Sequence, residues 1–279
     1  MNRIQNCFQN LKQKNRKGLI PYITAGDPHP DWTVPLLHGL VAAGADMIEI
    51  GVPFSDPMAD GPSIQKAIER ALMHQVNLTD IFSMIKEFRQ QDQHTPIVLM
   101  GYLNPIEQMG YEKFAQQAAA VGVDGVLTVD LPPEEASTLK QALDKHQVDP
   151  IFLIAPTTRP ERIRLIDEAG SGYLYYVSFK GVTGADRLNA LDVADKMKEI
   201  RQLSDLPLCV GFGIRDANTA LQVAPSADAV IIGSALIDCI AKQLAAKNLQ
   251  APVAAEAWSF EDFRTLLDVV KSIRVALDN

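Results

Sequence analysis

With 279 residues, 47% of them hydrophobic, the chain can bury a large core, and one barrel-sized domain over 1–279 accounts for it better than two. A net charge of −8 and a pI near 5.1 exclude nucleic acid and anionic membrane as main partners. Residues 1–17 carry no apolar signal core, no uncharged apolar run reaches about 18 residues, and Cys7, Cys209 and Cys239 lack metal or redox spacing, so a cytoplasmic chain is expected.

Short apolar runs alternate with amphipathic ones. A helical pattern at 4–14 precedes the first strand, expected at 19–23. Asp27-Pro28-His29-Pro30 reads as a turn and helix start. The second strand follows at 47–50, with helical patterns at 63–74 and 78–91 behind it. Strands at 97–100, 125–129, 151–154, 173–177, 208–211 and 229–232 then alternate with helical patterns at 111–121, 133–146, 159–169, 191–203 and 216–223. Two more helical patterns close the chain, at 236–247 and 260–277, with a surface loop expected between them at 248–257.

Near-continuous Val, Ile, Leu and Tyr in such runs is what parallel strands covered by helices require. Eight of them point to an α/β fold, a (β/α)8 TIM barrel with an extra N-terminal helix and additional helices after strands two and eight. The alternative is an open doubly wound sheet, but no G-x-G-x-x-G follows the first strand.

Strand alternation sorts inside from outside. On the second strand Ile48 and Ile50 should face helices, which turns Met47 and Glu49 into the barrel. The same parity, guided by which residue must sit at the mouth, aims Tyr22, Met100, Leu127, Val129, Leu153, Tyr175, Phe212 and Ile232 inward. Those near the top would line a flat, apolar and aromatic pocket suited to an aromatic ring.

Glu49 closes a strand at the end of a barrel where catalytic groups sit. Burial among apolar side chains should raise its pKa, which suits an acid that gives and takes protons near neutrality. The competing reading is a structural ion pair. Asp60 and Asp56 lie in the Pro/Gly-rich loop that follows, where Asp before Gly or Pro is usually a turn residue, although the loop could also carry Asp60 over the mouth.

Glycines mark the later strand ends: Gly181 and Gly184 after strand six, Gly211 and Gly213 at strand seven, Gly233-Ser234 at strand eight. Barrels bind phosphate with the loops after strands seven and eight and a helix N-terminus, although tight turns need glycine as well. Ser178 and Ser234 lack a nucleophile elbow, and Lys180 reads as solvated or phosphate-facing rather than as a Schiff base. His29, His38, His74, His94 and His146 are scattered, so no metal site is expected.

Seven segments, in order along nearly the whole chain, resemble the tryptophan synthase alpha chain family: Tyr22 to Pro28, Glu49 to Pro62, Met100 to Pro105, Asp130 to Glu135, Lys180 to Ala185, Gly211 to Ile214 and Val230 to Ala235. The Pro-Phe-Ser-Asp-Pro-x-Ala-Asp-Gly-Pro stretch is the most specific. The resemblance implies a lyase that cleaves indole-3-glycerol phosphate to indole and glyceraldehyde 3-phosphate. It implies Glu49 as general acid/base, Asp60 as the carboxylate on the indole N–H, Thr183 as the loop residue closing onto Asp60, and Tyr175 beside Glu49. It also implies Gly184, Gly213, Gly233 and Ser234 as the phosphate cradle. It implies no cofactor in this chain and, as partner, a beta subunit carrying pyridoxal phosphate (PLP) in an alpha2beta2 tetramer, with Asp56 and Pro57 expected at the interface. A stand-alone indole-3-glycerol phosphate lyase and a non-catalytic activating barrel are the alternatives. Tyr22 and Met100 stand where Phe and Leu are common in the family, and Phe179-Lys180 departs from its usual loop.

Overall fold

A computed structural model describes residues 2–177, 190–211 and 213–279. In chain order the elements are α1 Arg3–Gln13, β1 Gly18–Thr24, α2 Thr33–Ala42, β2 Ile48–Gly51, α3 Pro62–Met73, α4 Leu78–Phe88 and β3 Ile97–Gly101. They continue with α5 Leu103–Met109, α6 Tyr111–Val121, β4 Gly125–Thr128, α7 Ser137–Lys145, β5 Asp149–Ile154, α8 Pro160–Ala169 and β6 Leu174–Val177. The last are α9 Ala190–Arg201, β7 Leu208–Gly211, α10 Ala217–Val223, β8 Ala229–Ile232, α11 Ser234–Ala246 and α12 Arg264–Asp278.

The strands close in sequence order, β1 to β8, and β8 pairs back onto β1, every pair parallel. This is the expected (β/α)8 barrel, with an N-terminal helix and extra helices behind β2 and β8. Its strands are mostly apolar because each is covered twice. Ile48 and Ile50 face outward into the cluster shared with the helices, while Met47, Val98, Leu127, Ile151, Tyr175 and Cys209 fill the interior.

α1 closes the barrel floor. Its Ile4, Phe8 and Leu11 join the interior cluster rather than the outer one. Asn2 caps the helix through a capping box, and its amide also donates to Asp149 Oδ2 at 2.6 Å. Arg3 pairs with Asp124 at 2.9 Å. The N-terminal ends of β4 and β5 thus hold the plug in place.

The structure refines some boundaries. The helical pattern at 133–146 begins only at Ser137, because Pro132 and Pro133 first set turns that accept from Glu135 and Ala136. α5 was not expected; Gly110, with φ of 88°, separates it from α6. The stretch 248–257 is not a free surface loop. Val253 is buried, and the Ala255 carbonyl accepts the Trp32 indole N–H at 3.0 Å. Among the described residues no helix is long and apolar enough to cross a membrane.

Candidate active site

Glu49 lies on β2 in register with Tyr22 of β1 and Val98 of β3, and it is completely buried. Its Oε1 accepts a hydrogen bond from the Tyr173 hydroxyl at 2.6 Å, and its Oε2 is buried with no hydrogen-bond partner among the described residues. Burial pushes its pKa up to about 7, against the opposing pull of the Tyr173 bond. Among the described residues no ion pair holds this carboxylate. It has one oxygen anchored and the other available.

Tyr173 did not stand out in the sequence. The signal was there in alternation: Tyr173 and Tyr175 share a face of one strand, so an inward Tyr175 makes Tyr173 inward as well.

The mouth is lined as parity requires, with one exception. Tyr22, Met100, Leu127, Val129, Leu153 and Tyr175 all belong to the interior clusters. Ile232 does not. It packs with the outer core, and Ile231 takes the interior position. Tyr22 and Glu49 face inward, and β8 pairs Ile231 with Ile20 and Ile232 with Pro21, so Ile232 falls on the outward parity. Tyr22 and Tyr175 each lie across a glycine of the next strand. A Cβ on Gly51 would stand 2.1 Å from the Tyr22 hydroxyl, and one on Gly211 2.1 Å from that of Tyr175. Only glycine lets each ring lie flat over its neighbour.

Asp60 sits on the loop between β2 and α3, half-buried. Its Oδ2 accepts from the Tyr102 hydroxyl at 2.7 Å, and that hydroxyl accepts the Ala59 N–H at 3.0 Å. The Tyr102 ring lies against Phe54, with centroids 5.4 Å apart. From the other side Gln65 of α3 donates to the Asp60 carbonyl at 2.8 Å. The loop is thus clamped between β3 and α3. Burial raises the Asp60 pKa, and the Tyr102 bond opposes the rise. The charges of Glu49 and Asp60 both act on the Tyr22 and Tyr175 hydroxyls, so both carboxylates lie on the side of the barrel that these two rings occupy. Tyr102 and Gln65 were also missed; nothing local in the sequence ties them to the loop.

Gly233 is the N-cap of α11, and Ser234 is its first residue. The first amides of a helix have no intrahelical partner, and the helix dipole favours an anion there. Gly213, just beyond β7, has φ of 79°, a conformation that suits glycine. β7 and β8 are neighbours, so these glycines meet at the same end of the barrel as Glu49. Thr183, Gly184 and Phe212 lie outside the described residues, as do Ser178 and Lys180. Asp56 is exposed and accepts from Ser55 at 2.5 Å. With Pro57 it edges a groove of about 360 Å³ between the loop and α3 that also includes Phe54, Met58, Ile68 and Leu72.

The sequence model for "Tryptophan synthase alpha chain" matches residues 8–265. The chain belongs to the tryptophan synthase alpha chain family. It is 62% identical over 242 residues to the tryptophan synthase alpha chain of Thioalkalivibrio sulfidiphilus, covering 87% of this chain and 91% of that one. With the alpha chain of Nitrosomonas europaea it shares 52% over 278 residues, 100% of this chain and 96% of the relative. The crystal structure of the alpha subunit from Legionella pneumophila superposes with a TM-score of 0.89 at 45% identity, covering 100% of this chain and 99% of that one. Alpha-chain membership makes this chain a lyase of tryptophan synthesis. Tyr22 and Met100, which depart from common family residues, keep the inward positions that the barrel register assigns them.

Proposed function

We propose that this chain cleaves indole-3-glycerol phosphate to indole and glyceraldehyde 3-phosphate by a retro-aldol reaction, and passes indole to a PLP-dependent beta subunit in an alpha2beta2 assembly. The observation that carries the reading is Glu49: buried in the barrel, its pKa raised to about 7, with one oxygen held by Tyr173 and the other unpartnered among the described residues.

The chemistry runs as two proton transfers around one bond. The neutral Glu49 carboxyl delivers a proton to C3 of the indole ring, which becomes an indoleninium cation. The resulting carboxylate takes the proton from the side-chain hydroxyl next to C3. The carbon–carbon bond then breaks, its electron pair returns to the ring, and the oxygen becomes the aldehyde carbonyl. Both forms of Glu49 must be accessible, and a pKa near 7 makes them so. Asp60 accepts the indole N–H and offsets the charge at nitrogen. Tyr22, Met100, Leu127, Val129, Leu153 and Tyr175 form the ring slot. Gly213, Gly233 and Ser234, with Gly184, hold the phosphate through backbone amides. Thr183 closes its loop onto Asp60. These steps call for no cofactor in this chain.

The groove beside Asp56 and Pro57 opens on the loop that carries Asp60, so a beta subunit seated there would bias the catalytic loop directly. Glu49→Gln tests the reading: it should bind substrate and lose cleavage by about 10²–10⁴-fold. Cleavage at the parental rate refutes it. Turnover of the isolated chain, slow for a subunit and fast for a stand-alone lyase, decides between the two enzyme readings.

A further inference from the structure

The Glu49 carboxyl is reached from below as well as from the mouth. Tyr173, which donates to Glu49 Oε1 at 2.6 Å, is itself completely buried. Its ring meets that of Phe8, with centroids 6.1 Å apart and planes at 58°. Phe8 lies on α1, the helix that closes the floor, and α1 is tied there by polar contacts on separate strands' ends. Cys7 donates to the Asp46 carbonyl at 3.3 Å, Arg3 pairs with Asp124, and Asn2 donates to Asp149. An aromatic contact and a hydrogen bond thus connect a terminal helix to the proton donor, through Tyr173.

We propose that Phe8 is a positioning residue for the catalytic acid: from the barrel floor it fixes the Tyr173 ring under Glu49 and keeps water from reaching the carboxyl from below. The proposal deepens the reading of Glu49 as proton donor and rests on it. Phe8 touches no substrate. Its contribution is to hold a dry, fixed setting for a group whose second oxygen has no partner among the described residues. Opening the floor would hydrate the carboxylate and favour its ionised form.

Among the described residues, the titratable groups around Glu49 do not supply an alternative source of control near neutral pH. Tyr22, Tyr173, Tyr175 and Cys209 are all driven above their ordinary values by burial and stay neutral. Cys7 on α1 is pushed up to about 12 by burial and by Asp46. Asp60 acts on Tyr22 and Tyr175 from the loop after β2 and is held there by Tyr102.

The test is carbon NMR titration of the labelled Glu49 carboxyl in the full chain, alongside kcat from pH 5 to 9, for the parent, Phe8→Leu, Phe8→Val and Phe8→Ala. Phe8→Val leaves the smaller cavity and carries the test if Phe8→Ala does not fold. Phe8→Leu should keep the parental midpoint near 7. The two smaller residues should lower it by about one pH unit, which cuts the protonated fraction, and kcat above the midpoint, by about tenfold while sparing kcat at pH 5. A residue that only supports the fold would lower Tm without moving the midpoint, and that result overturns the proposal while leaving Glu49's role untouched. A midpoint that moves without kcat following it supports the floor's control of Glu49 and refutes Glu49 as proton donor.

Discussion

Tyr173 and Glu49 stand 124 residues apart in the chain, and the hydroxyl of one is 2.6 Å from a carboxylate oxygen of the other. Among the described residues that bond is the one hydrogen bond to a carboxyl that the barrel otherwise buries among apolar side chains. Ionising Glu49 therefore costs the fold. The neutral form is the one the native state favours, so the cost is absent below the ordinary value of 4.5, grows as pH rises, and is complete above about 7. At its full extent it is about 3 kcal/mol. Glu49→Gln removes the titration and keeps an acceptor for Tyr173. Its Tm should exceed the parent's at pH 8 and approach it at pH 4.5. An equal difference at both pH values would show that the burial does not destabilise the ionised parent.

Tyr173→Phe should move Glu49 in the opposite direction from a breached floor. The Tyr173 bond lowers the Glu49 pKa, so its loss should place the midpoint above 7. Cleavage should then persist to higher pH with a lower maximal rate, because the acid is no longer anchored. A pH profile coincident with the parent's would remove Tyr173 from the control of this group.

On the loop, Tyr102 holds both the Ala59 N–H and the Asp60 carboxylate. Tyr102→Phe keeps the ring on Phe54 and deletes both bonds. A hydrogen bond to a charged group is worth about 1.5–3 kcal/mol, so kcat/KM should fall by about 10–100-fold. Burial already raises the Asp60 pKa and the Tyr102 bond restrains it, so the acid limb of the profile should move to higher pH. Limited proteolysis at the exposed Met58 should also become faster. If Asp60→Asn lowers activity no further in the Tyr102→Phe background, the two act as one unit.

The anion site can be probed without disturbing the fold. A Cβ on Gly233 would meet Tyr22 atoms at 3.4 Å, ordinary contact, so Gly233→Ala should fold with little loss of stability. The methyl crowds the amides at the start of α11, and KM for the phosphorylated substrate should rise at least tenfold while the fold's Tm changes little. An unchanged KM would place the phosphate elsewhere. Gly213→Ala should cost about 1–2 kcal/mol of stability on its own account, because φ there is 79°.

Docking of the beta subunit should depend on Asp56. Asp56→Ala is expected to weaken partner affinity and activation while sparing the slow activity of the isolated chain. Because coupling of affinities is reciprocal, glycerol phosphate should tighten docking of the parent by the same factor as partner tightens glycerol phosphate. Titrations with and without that ligand that show identical affinities for parent and variant would take the interface away from this loop.

The sequence by itself determined the barrel, its strand order and the inward face of Glu49. Those follow from local periodicity: doubly covered strands are apolar throughout, and a strand residue's neighbours in sequence fix its face. It also carried the loop motif that places Asp60. The need for a residue at the mouth favours an inward Ile232, but register with β1 gives that place to Ile231. Only the tertiary structure decided which groups meet. Tyr173 under Glu49, Tyr102 on Asp60, Phe8 of α1 inside the barrel and the His29–His74 ring contact at 4.7 Å join residues that share no local pattern. Closure of the barrel brings them together, and the protonation of a buried carboxyl depends on those distant neighbours rather than on its own segment of chain.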